Sequence, residues 1–142
     1  MAQKANSKAR PQGETTGTAR RPKQQLGEAI LAYDLEKESE ALIHEALSAE
    51  DGRATKTLAK VSRLHVVLTA LRHGFVLREH ANHAPISVQA IKGSMHLLLP
   101  TQAIHLTPGM VVTLEPMIPH TMEAEEDSAF LISMAWAQET SR

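Results

Sequence analysis

The sequence predicts a mainly β domain, an antiparallel sandwich or barrel, with one helix in front of it. Three observations carry this expectation. From Thr55 to Trp136 the chain is a succession of short aliphatic and β-branched runs: TKTLAKV, LHVVLTALR, FVLRE, ISVQAI, SMHLLL, AIHL, MVVTLE, HTMEAE and AFLISMAW. Turn residues separate these runs at even spacing and no helical period intervenes, the pattern of an antiparallel all-β domain. The length of 142 residues, with 42% hydrophobic and 22% charged side chains, suits one globular core.

Taken in order, the chain opens with a basic tail. Residues 1–25 carry Lys4, Lys8, Arg10, Arg20, Arg21 and Lys23 against the single acid Glu14, so the net charge of −1 divides into +5 for the tail and −6 for the rest. The tail has almost no apolar side chain to bury and is expected to be disordered, because nothing offsets the entropy of ordering it. No aromatic residue interleaves its charges, so nucleic acid is not an expected partner.

Residues 26–54 form the predicted helical segment. Asp34 is an N-cap candidate before LEKESEALIHEAL, and Glu36 and Glu38 fall in the first turn, where the helix dipole favours acids. Leu31, Leu35, Leu42 and Ala46 share one face at helical spacing, so a narrow stripe is available for packing on something larger. Asp51-Gly52 is expected to end the helix, with glycine in the left-handed cap conformation. His44 reads as a surface residue.

Residues 55–138 make the β domain and 139–142 a short C-terminal tail. Gly74, Ala84-Pro85, Gly93, Pro100-Thr101, Pro108-Gly109, Pro116 to Pro119 and Glu126-Asp127 mark the turns. Runs such as LHVVLTAL and MHLLL are apolar on both alternating faces, which means a sheet covered twice. The second cover is either the helix or another subunit, and a homodimer is expected.

The chain has no cysteine, which excludes disulfides, thiolate metal sites and a cysteine nucleophile. No apolar run approaches the length of a membrane span, and the N-terminus lacks the apolar segment of a secretory signal. A soluble cytoplasmic protein is the expectation. No nucleophile-elbow sequence supports serine hydrolase chemistry.

Within this framework the segment Gly74 to Ala135 resembles the cupin superfamily, in particular the small single-domain bacterial cupins. Gly74, FVLRE, His80 and ISVQAIKG ending at Gly93 match the first cupin motif; GMVVTLEPMIPH, from Gly109 to His120 with Pro119, matches the second. Together with the preceding strands the resemblance covers about residues 55–136, and it implies a cupin-type jelly-roll β-barrel.

The resemblance also implies a site. A metal-binding cupin supplies His-x-His and a Glu from the first motif and a His from the second, and His80 and His120 occupy two of those four places. Asn82 stands at the second histidine, His83 is displaced by one, and Ile86 takes the place of the glutamate. In the second motif Glu115, Met117 and Ala124 replace the proline, glycine and asparagine of the family. Candidate metal ligands are therefore His80, His83 and His120, for iron, manganese, zinc, nickel or copper. The candidate ligand pocket is His80, Asn82, Ile86 and His120. Gln89 falls on the other face of the strand from Ile86 and is not counted as a ligand.

Alternation places His96 and His105 away from the buried face, and neither is expected to bind metal. His65 and His73 read as edge or surface residues, and the acidic run from Glu123 to Asp127 as a solvated turn. Met110, Met117, Met122 and Met134 read as core or pocket lining. Two functions from different classes stay open. One is a module that binds a small molecule inside the barrel; the alternative is a metal-dependent enzyme of the oxygenase or isomerase type. The missing glutamate favours the first.

Overall fold

The computed structural model describes residues 28–79 and 81–135. The basic tail at 1–25, the C-terminal tail at 139–142 and the candidate ligand His80 therefore lie outside the described residues.

Helix α1 spans Leu35–Ser48 and begins where capping chemistry requires. The Asp34 carboxylate accepts hydrogen bonds from the Glu36 and Lys37 N–H groups at 3.1 and 3.3 Å, satisfying donors that the first turn leaves open. The helix stops earlier than Gly52, because Ala49 is already extended at φ −82 and ψ 141. Gly52 instead serves the turn into the first strand. Its φ is +64, and the Phe75 ring lies where a Cβ would go, so both backbone and packing select glycine.

Nine strands follow among the described residues: β1 (Arg53–Val61), β2 (Leu64–Leu71), β3 (Val76–Glu79), β4 (Ile86–Lys92), β5 (Met95–Leu98), β6 (Ala103–Leu106), β7 (Val111–Leu114), β8 (His120–Ala124) and β9 (Ser128–Ala135). The β domain thus starts at Arg53, two residues before the expected boundary. The strands form a five-stranded sheet, in the order β1-β2-β9-β4-β7, and a four-stranded sheet, in the order β3-β8-β5-β6. Every pairing is antiparallel. The order alternates between distant parts of the sequence, as in a jelly roll. The two sheets face one another, and among the described residues their ladders do not join into one closed barrel.

The core lies between the sheets. Ile86, Val88 and Ala90 point inward from β4, Met95 and Leu97 from β5, and Met122 and Ala124 from β8, with Phe130 of β9 fully buried among them. The outer face of the five-stranded sheet has a separate apolar cluster, in which Leu42 and Ala46 of the helix pack on Leu58, Leu68 and Ala70. This is why LHVVLTAL is apolar on both faces: the helix supplies its second cover. Lys56 of β1 fixes the dock, its Nζ lying 2.7 Å from Glu38 Oε1 and 5.6 Å from the Tyr33 ring centre.

Not all the methionines are inside. Met122 is buried, but Met110 and Met117 are 39% and 54% exposed. Met110 sits in the turn before β7, and Met117 in the loop before β8, so neither has a facing sheet to pack against. No helix among the described residues is long and apolar enough to cross a membrane.

Candidate functional site

Two groups of polar side chains stand out, and they occupy opposite faces of the four-stranded sheet. The first lies at one end of the sandwich interior. Here β3 ends, β4 begins and β8 begins, because Glu79 is the register partner of His120 and the loop from 81 to 85 returns the chain to Ile86. That loop is tied down on both sides. Met117 N–H donates to the Asn82 carbonyl at 2.7 Å, and Ala135 N–H to the Pro85 carbonyl at 3.2 Å.

His120 opens β8, whose burial alternates so that His120, Met122 and Ala124 all face inward. The imidazole is only 5% exposed. Its Nδ1 lies 3.0 Å from the Ile118 carbonyl, and since a carbonyl can only accept, Nδ1 carries the proton. Nε2 is then a lone-pair donor, buried and without a hydrogen-bond partner among the described residues. A buried polar atom left so is uncommon and calls for an explanation. This is also the tautomer a ligating histidine adopts when its other nitrogen is anchored by a carbonyl.

Among the described residues, the neighbours of His120 do not complete a metal donor set. Ile86 is 5% exposed, on the inner face of β4, where it offers no donor atom. His83 is exposed in the loop and Asn82 half-buried there. Among the described candidates, then, the structure brings His120 and Ile86 to the interior at the same end, while His83 faces solvent. An open cleft of about 330 Å³ is present nearby. Ser133, Ser87 and Thr113 stand opposite one another on β9, β4 and β7 and alternate with the inward Met134, Ile86 and Leu114. They line the cleft with Leu64 and Glu115 and also with Ile86, Leu114 and Met134, and His120 is not among its walls.

His65 also belongs to the interior face rather than an edge. It is half-buried on β2, in register with Met134 of β9. Burial first, and the Lys60 charge second, push its imidazole below the usual histidine range.

The second group was not visible in the sequence as a group. His96 and His105 do point outward, as alternation requires, but they are direct register partners across the β5–β6 hairpin. Their rings stack with centres 4.8 Å apart and planes 24° from parallel. The acidic run then closes on them: His105 Nε2 lies 2.8 Å from Glu125 Oε1. Each of His96, His105 and Glu125 offers one ligand atom, all within 4.8 Å of one another, so the group can hold a metal ion. The run from Glu123 to Asp127 is accordingly more than a solvated turn, and Asp127 Oδ1 also accepts the His73 N–H at 2.8 Å. The signal that could have found this group is hairpin register. Leu98 pairs with Ala103, and counting back from that turn sets His96 against His105.

No family model matches the chain, and no curated protein sequence matches it. Solved structures do. A cupin superfamily protein from Desulfitobacterium hafniense has a TM-score of 0.59 at 17% identity over 63% of this chain and 83% of its own. The structure of KdgF from Halomonas sp. gives 0.58 at 19% identity over 65% and 87%. A salicylate 1,2-dioxygenase variant from Pseudoaminobacter salicylatoxidans gives 0.67 at 16% identity over 84% of this chain but 40% of its own. The chain has the cupin fold, as its two motifs imply.

Proposed function

We propose that this cupin binds a small organic molecule at the end of the sandwich where His120 faces inward. The single observation that carries the proposal is the buried Nε2 of His120, which has no hydrogen-bond partner among the described residues. Ile118 fixes the tautomer, so Nε2 accepts a hydrogen bond, and the ligand must present an O–H or N–H donor to it. Apolar side chains share the inward face with His120, Ile86 on the facing sheet and Met122 on the same strand, so the remainder of the ligand is expected to be apolar. The combination of one fixed acceptor and an apolar wall gives orientation as well as burial. The rim through which the ligand passes is the pair of loops joined by the Met117–Asn82 hydrogen bond.

The alternative is a metal-dependent enzyme of the oxygenase or isomerase type. The observation favouring it is the same Nε2, which has the right protonation for a ligand, and one structural neighbour is a dioxygenase. Against it stands Ile86, an apolar side chain on the inner face where the resemblance calls for a carboxylate.

One set of measurements separates the two. Untagged protein is screened by thermal shift against small organic molecules and assayed for metal, alongside His120→Ala and His120→Gln. The binding reading expects a molecule that raises the melting temperature of the wild type and loses that effect in both variants. Stoichiometric metal that disappears in both variants would instead overturn the metal-free binding reading and favour the alternative. A ligand whose effect is indifferent to His120 would overturn the binding site as placed here.

A further inference from the structure

We propose that His96, His105 and Glu125 form a divalent transition-metal site of the zinc type on the outer face of the four-stranded sheet, separate from the interior end where His120 lies. The separation follows from strand alternation. On β8, His120 and Met122 face inward and Glu123 faces outward; Glu123 stands in register with His96, which in turn pairs with His105.

The donor set selects the ion. Two imidazole nitrogens and one carboxylate oxygen suit zinc and its neighbours, whereas calcium and magnesium prefer oxygen alone. Three protein ligands leave at least one position for water. With bonds of roughly 2.0–2.1 Å in a tetrahedron, ligand atoms stand about 3.3–3.4 Å apart. The present group brackets that spacing, from 2.8 Å between His105 Nε2 and Glu125 Oε1 out to within 4.8 Å for the whole set. Side-chain torsions on an open face supply the adjustment, and the ion takes the place of the direct His105–Glu125 hydrogen bond.

The carboxylate is held in place from behind. Glu125 N–H and Glu126 N–H both donate to the Ser94 carbonyl, at 3.0 and 3.3 Å. Ser94 Oγ, on a buried residue, lies 2.9 Å from Glu125 Oε1 and 3.0 Å from Glu126 Oε2. Ser94 thus orients the Glu125 carboxylate from one side while His105 meets the same oxygen from the other. A partner that orients a ligating carboxylate from outside the coordination sphere is the arrangement metal sites use to fix their ligands. The outward Glu123 adds a further negative charge beside His96. Bound there, the ion would tie the β5–β6 hairpin to the turn between β8 and β9.

The test uses the full chain, freed of any affinity tag and stripped with chelator, titrated calorimetrically with zinc chloride. The expected result is one zinc per chain at this site, with affinity falling by at least about tenfold in His96→Gln and in His105→Gln, and by about tenfold in Ser94→Ala through its hold on Glu125. Cobalt(II) added in place of zinc should give the visible absorption of a four- or five-coordinate ion, lost in His105→Gln. His120→Ala should bind zinc at this site as the wild type does, which keeps the result independent of the interior ligand. The outward side chains of His96, half-buried, and His105, exposed, make the glutamine variants tolerable to the fold, and their circular dichroism checks it. Absence of zinc binding in the wild type, or binding equal in wild type and both histidine variants, overturns the proposal.

Discussion

Ser128 Oγ donates to the Ser94 carbonyl at 3.0 Å, and this contact presses the start of β9 against the backbone of Gly93. A Cβ at Gly93 would run into the Asp127 carbonyl oxygen and into Ser128, and its φ is +76. Beyond the Ser128 hydroxyl, the Asp127 carbonyl oxygen and Ser128 Cα are backbone atoms, so the backbone itself would have to move. Gly93→Ala should therefore destabilise the domain by about 3 kcal/mol or more, adding left-handed strain to overpacking. Urea denaturation of the two proteins measures it; a loss under about 1 kcal/mol would show that the turn gives way easily.

Helix docking rests on a different kind of contact. Lys56 and Glu38 have side chains only 17% and 26% exposed, so their ion pair is better shielded than a surface one. Lys56→Met keeps the aliphatic stem and leaves Glu38 without its partner, and should cost roughly 1–2 kcal/mol. Because the lost contact belongs to the helix, amide exchange should accelerate in α1 before it does in β9. Equal acceleration in both would mean that helix and sheet unfold as one unit.

Met117 has φ 68, in the left-handed region that side chains avoid. The position is the one where the cupin second motif has glycine, and the hydrogen bond from its N–H to Asn82 holds the conformation. Met117→Gly should relieve about 1–2 kcal/mol of strain and forfeit about 0.5–1 kcal/mol to the greater freedom of the unfolded chain. A net gain of up to about 1.5 kcal/mol is expected by thermal denaturation, since the methionine side chain is exposed and contributes little packing. A net loss would show that the side chain contributes contacts at the rim.

How much of this was legible beforehand depended on whether the determining contact was local. The two-sheet fold was legible because alternation and turn residues act over a few positions, and Gly74, Gly93 and Gly109 mark motif corners. The helix start at Asp34 was legible for the same reason, whereas its end was not: Gly52 looked like a cap, but its requirement comes from Phe75, a tertiary neighbour. His120 facing inward follows from alternation along HTMEA. The His96, His105 and Glu125 group did not follow, because parity gives each histidine a face but only cross-strand register and the docking of a distant turn on Ser94 bring them together. His65 was misplaced at an edge since its apolar neighbours on both sides do not reveal which face of β2 is interior.

That placement of His65 ties its protonation to the stability of the folded state. It stands on the inner face opposite Met134 and, on the other side, opposite Lys60 of β1. Burial disfavours the charged imidazole and the Lys60 ammonium adds repulsion, so the folded state holds it neutral to lower pH than the unfolded chain does. As pH falls through the unfolded value near 6.5, the unfolded chain takes up the proton first and the folded state loses stability relative to it. The loss continues until pH passes below the depressed folded value, after which this group contributes no further slope. The contribution is thus fully present above the unfolded value and declines in the acid direction. His65→Gln removes the titration while keeping a polar side chain of similar reach. Urea denaturation of wild type and variant from pH 8 to pH 5 should show a shallower acid-side decline in the variant, with the two curves parallel above pH 7. Parallel curves throughout, or a steeper decline in the variant, would mean that His65 is solvated like an ordinary surface histidine.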